Sequence, residues 1–221
     1  MRPFLYCLLL CGCLSCGTST SDQKGTATSA SEQGAAVDST SSPSASPAVD
    51  SAYQIVPGER MGQTSLNDSP EAVAEALGKP DASNAAMGKS LSTWYSSANG
   101  GKREELNVYT VREKTGTPQE TVGVHQVRVT SSAFKVVPSG LSTGSTLPQI
   151  REAFNRVRPL AHYQYQGRQR AYLYDATGEG LAFEITGPDS TCVAIILHQK
   201  GKEVTSAYLP IHEDLVKLHQ Q

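Results

Sequence analysis

Leu66-Asn67-Asp68-Ser69-Pro70-Glu71 runs into Ala72-Val73-Ala74-Glu75-Ala76-Leu77 and stops at Gly78-Lys79-Pro80. Asp68 or Ser69 serves as N-cap, Glu71 stands at capping-box spacing from Asp68, Pro70 falls in the first turn and Gly78 closes the end. These marks predict a short helix with Val73 and Leu77 one turn apart on its buried face. The same plan recurs in Ser145-Thr146-Leu147-Pro148-Gln149, leading into Ile150-Arg151-Glu152-Ala153-Phe154. Thr146 and Gln149 have capping-box spacing there, and Ile150 and Phe154 form the apolar pair.

Strand-like segments follow each predicted helix. The first set is Leu91 to Ser96, Glu105 to Val111 and Val122 to Val129; the second is Ala161 to Tyr165, Arg170 to Tyr174, Leu181 to Ile185 and Val193 to Gln199. Their β-branched and aromatic content and partial alternation predict strands. Asn99-Gly100-Gly101, Gly116-Thr117-Pro118, Gly178-Glu179-Gly180 and Gly187-Pro188-Asp189 supply the turns of an antiparallel meander. One short helix cannot cover a wider sheet, so two units side by side would bury what each leaves wet. The expected fold class is therefore α+β, with two tandem helix-then-antiparallel-meander modules packed side by side. The first spans 53–137 and the second 138–221, ending in a helix over Leu209 to Leu218 with Leu215 and Leu218 inward and His212 and His219 on the surface.

This order, with its capped helix ending in Leu77-Gly78-Lys79-Pro80, resembles the helix-plus-sheet module of the SmpA/OmlA (BamE-like) lipoproteins and the tandem modules of the β-lactamase inhibitor protein. The resemblance covers much of Gly62 to Gly201. The inhibitor modules each carry a disulfide that this domain cannot make, and the assembly lipoproteins have one module rather than two. No interface residue transfers. The resemblance implies a non-enzymatic envelope lipoprotein that binds proteins through its sheet face or loops.

The chain begins Met1-Arg2-Pro3, followed by an apolar run from Phe4 to Leu10 and cysteines at 7, 11, 13 and 16. The run falls short of the roughly 20 apolar residues that cross a bilayer and resembles a bacterial lipoprotein signal. Cys16 fits the better signal length, and Cys13 is the alternative with the better preceding box. The reading is a signal peptide over 1–15 and lipid attachment at Cys16 (alternative Cys13), by palmitate-class acyl chains. Residues 16–52 are rich in Ser, Thr and Ala and poor in large apolar side chains, so a disordered tether is expected. About 35 such residues span roughly 30 to 35 Å.

The 221-residue chain has a formal net charge of −2 and scattered basic residues, which predicts no nucleic-acid groove. Past the signal region Cys192 is the sole cysteine, so no internal disulfide is available and stability must come from packing. The five histidines, His125, His162, His198, His212 and His219, fit no zinc spacing, and no nucleophile elbow, phosphate loop or dinucleotide pattern is present. No metal, cofactor or catalytic residue is expected. Cys192 and His198, on one regular strand, would face the same side some 20 Å apart.

Tyr163, Tyr165, Tyr172 and Tyr174 are the candidate binding residues. Each pair shares one side of its strand, and four phenols could form a single patch suited to proteins or glycans; alternatively, one pair lies under the helices and the other is an ordinary cross-strand pair. The expected function is a non-enzymatic, membrane-anchored envelope lipoprotein acting as a protein-binding module, with the membrane reached through the lipid and an envelope protein as partner. The alternative is an exported enzyme with a non-standard site between the modules. The expected location is the cell envelope, lipid-anchored to a bacterial membrane.

Overall fold

Ser69 begins the first helix as the caps require: its Oγ accepts from the Ala72 amide at 3.2 Å, and Gly78, at φ 71°, ends it. In the computed structural model, residues 50–96, 103–167, 169–187, 190–206 and 211–218 are described. The helix, α1, is Pro70–Leu77, and a second, α2, is Leu147–Ala153. At α2 the Gln149 Oε1 accepts from the Thr146 amide at 2.8 Å. The expected signal peptide, the lipid-attachment cysteines Cys13 and Cys16 and nearly all of the tether lie outside the described residues.

The strands carry most of the structure. Three short ones, β1 (Gln54–Val56), β2 (Arg60–Met61) and β3 (Thr64–Ser65), precede α1. After it come β4 (Ala82–Ala86), β5 (Lys89–Tyr95), β6 (Glu105–Glu113), β7 (Thr121–Val129) and β8 (Lys135–Val136). Beyond α2 lie β9 (Arg158–Tyr165), β10 (Gln169–Ala176), β11 (Leu181–Thr186), β12 (Thr191–His198) and β13 (Val216–Lys217). A four-stranded sheet has the order β3-β2-β1-β8, with β1 and β8 parallel. A nine-stranded antiparallel sheet has the order β13-β9-β10-β11-β12-β7-β6-β5-β4.

The expectation of an α+β fold built from two helix-then-meander modules packed side by side is overturned. The molecule is mostly β-sheet, and β7 and β12 pair from Ile195↔Val129 to His198↔Gln126. Hydrogen bonds along an edge, rather than a packed face, therefore join the two halves into one sheet. Helices of eight and seven residues are too short to form a layer over nine strands.

Each face of the large sheet has its own core. On the first, Val108, Val127, Val129, Phe183, Ile195 and Leu197 pack with Val73 of α1, Ile150 of α2 and Ile55 and Met61 of the small sheet. On the second, Leu160, Ala161, Leu173, Ala182 and Ile196 are capped by Val204 and Leu215. The expected C-terminal helix is absent from residues 211–218, which form turns and β13. The reason is an available partner: β13 pairs with β9, and the Leu218 amide donates to Leu160 O at 2.8 Å. Leu215 still points inward, now from a strap lying across the second face.

Candidate functional site

Glu184, on β11, has no exposed surface. Arg128 of β7 grips its carboxylate with two parallel bonds, Nε to Oε1 at 2.9 Å and an η-nitrogen to Oε2 at 2.7 Å. The Tyr163 hydroxyl donates to Oε2 at 2.8 Å, and His212 Nε2 lies 3.0 Å from Oε1. The His212 ring stacks on Tyr163 at 3.5 Å between centroids. Arg128 also donates to Asn107 Oδ1 at 3.1 Å, and Asn107 donates to Thr93 at 3.0 Å.

Burial strongly disfavours the Glu184 charge, but the Arg128 charge and hydrogen bonds, helped by His212, outweigh it and hold the carboxyl well below the usual range. The same burial, with the Glu184 charge, pushes the Tyr163 phenol far up. Such a cluster can mark catalysis. Here the four contacts occupy the roughly four lone-pair positions of one carboxylate, so the group has no site left to take a substrate proton or bind a metal.

A second buried pair lies beside it. His198 Nε2 is 3.0 Å from Asp175 Oδ1 and Nδ1 is 3.1 Å from Gln199 O, while Asp175 Oδ2 accepts from the Val204 amide at 2.9 Å. Both ring nitrogens are thus committed. Among the described residues no group of three or more His, Cys, Asp or Glu is placed to hold a metal ion.

The candidate tyrosines do not come together as one patch. Tyr163 is buried against Glu184, and Tyr165 lies beside it with ring centroids 6.5 Å apart. Tyr172 and Tyr174 face the other side of the sheet: Tyr174 packs on the first core under Arg151, and Tyr172, 37% exposed, meets His162 edge-on. His212, expected on the surface, is drawn inward by Glu184. Cys192 and His198 lie on opposite faces, not the same one. A bulge at Val193, where Glu184 pairs with Ala194 and Ile185 with Cys192, adds a residue between them. Cys192 is buried in the first core, which pushes its thiol far up and leaves it inert.

Among the described residues, a cleft and a sheet edge are open to a partner. One is a cleft of about 350 Å³ over β6 and β7, lined by Lys89, Tyr109, His125, Gln126, His198 and Lys202 among others. The other is β4, all five of whose residues are exposed at one end of the nine-stranded sheet. Its hairpin turns at Met87 and Gly88, both with positive φ (52° and 73°), and Met87 is fully exposed. The segment Ala82-Ser83-Asn84-Ala85-Ala86 has weak strand propensity and was not legible as a strand; the Met87-Gly88 dipeptide was its only turn signal.

The chain matches no family model, no curated protein and no solved structure.

Proposed function

We propose that this chain is a non-enzymatic envelope lipoprotein, held at a bacterial membrane by acyl chains on Cys16 (alternative Cys13), that binds another protein by adding a strand to β4. The observation that carries this reading is the unguarded edge. Natural sheets protect their ends with charge, proline, bulges or covering chain, because free N–H and C=O groups recruit other strands. No charged residue or proline occurs within Ala82–Ala86, and every side chain there is exposed. The opposite end is guarded: β13 caps β9, and the Gln164 amide donates to Asp214 Oδ2 at 2.7 Å.

The pair next to a two-residue turn, Ala86 and Lys89, is of the hydrogen-bonded kind. Ser83 and Ala85 consequently turn their backbone groups outward. An extended segment of a partner would bond there, and small side chains on β4 leave room for it. Ala85→Pro removes one outward donor while leaving the pairing with β5 intact. Capture of the lipidated protein from native membranes should recover a specific partner with wild type and lose it with Ala85→Pro. Recovery of the same partner by both would overturn the edge as the binding element.

A further inference from the structure

We propose that the cleft over β6 and β7 binds the anionic head of a small molecule, a carboxylate or phosphate group, held by Lys202 above a floor made by His125 and Gln126. The floor is a constructed feature. Tyr109 pairs with Gln126 and Thr110 with Val124, so His125 is an extra residue without an opposite number on β6. In a regular strand, neighbouring side chains point to opposite faces. The bulge cancels that alternation, and His125 and Gln126 both line the one cleft. Bulges commonly re-aim side chains in this way beside functional sites.

The wall that carries Lys202 is fixed in place. Gln126 Nε2 donates to Val204 O at 2.6 Å, and the Val204 amide donates to Asp175 at 2.9 Å. These bonds pin the chain two residues beyond Lys202 to the sheet on both sides. The cleft volume, about 350 Å³, lies at the lower end of the range for small-molecule pockets.

Among the described residues the lining leaves one cation for an anion. Lys89 and Lys202 line the cleft with His125 and the already paired His198, against two carboxylates. Glu203 is engaged by Arg158 at 2.8 Å, and Glu113 lies 3.4 Å from His125 Nε2. Among the described residues Lys202 has no ion-pair partner. Burial outweighs the opposing pull of Glu113 and, with a smaller push from the Lys202 charge, leaves the His125 imidazole harder to protonate than usual. An anion between the exposed Lys202 and His125 would pair with the lysine and favour the protonated imidazole.

The test follows the His125 ring by NMR across a pH titration of the full chain in detergent, with inorganic phosphate and acetate as separate probes at constant ionic strength. The expected result is a saturable rise in the His125 pKa with at least one probe, the responding probe identifying the head group. Lys202→Gln should weaken that binding about tenfold, as loss of a charged hydrogen bond does, while Lys200→Gln, outside the cleft lining, should leave it unchanged. No saturable rise with either probe, or equal weakening by the two lysine variants, would overturn the proposal.

Discussion

Taking a carboxylate out of water costs several kcal/mol, and at Glu184 that cost is offset by Arg128, Tyr163 and His212 together. Removing one member leaves its buried partners with fewer contacts to offset that cost. Glu184→Ala leaves the buried Arg128 guanidinium with only Asn107 and, at 3.5 Å, the partly exposed Glu105, and should cost about 3 to 5 kcal/mol in denaturant unfolding. Tyr163→Phe, which deletes only a hydrogen bond to a charged group, should cost about 1 to 3 kcal/mol. The pH dependence has a definite sign. Because the folded-state carboxyl titrates well below its unfolded value, its contribution is complete above the ordinary carboxylate range and is lost as pH falls below about 4.3. The denaturation midpoint of wild type should therefore drop steeply under acid, and that of Glu184→Gln, already lower, should drop less. The network was invisible in the sequence, since Glu184, Arg128 and His212 stand on three separate elements and nothing local pairs them. Cys192 is buried in the first core; an alkylating reagent should leave it unlabelled in the native state and label it in denaturant.

At the scale of the element, local chemistry was legible and edges were not. The caps at Ser69 and Thr146 and the strands with β-branched or aromatic residues follow from short-range rules. β4, with three alanines, a serine and an asparagine, has no such signal and forms a strand because β5 offers it a backbone partner. β13 arises in the same way beside β9, overriding the helical spacing of Leu215 and Leu218. The turn joining β4 and β5 places a non-glycine residue, Met87, at positive φ, which costs an L-residue about 1 to 2 kcal/mol. Met87→Asn, matching the Asn-Gly preference of this turn, should raise stability by up to about 1 kcal/mol in thermal or chemical unfolding. Gly180 behaves oppositely. Its φ is +72°, and an added Cβ would meet the His198 carbonyl oxygen and lie 2.8 Å from the Gly58 Cα. Gly180→Ala should therefore destabilise by more than a simple glycine replacement does.

At the scale of the whole molecule, the departure from the expected two-module fold has one cause. Alternation and β-branched content mark the segments that become strands, but which free edges meet is settled by long-range pairing, here β7 with β12. That pairing turns two halves into one nine-stranded sheet with a covered end at β13 and an open end at β4. A sheet with one guarded and one unguarded end is asymmetric in what it can bind, and the proposed function rests on that asymmetry. The most direct test is hydrogen exchange at the Ser83 and Ala85 amides, compared between the free protein and its complex with the captured partner. Selective slowing of these two amides on binding is the predicted result; unchanged exchange at both, with protection elsewhere, would contradict strand addition at β4.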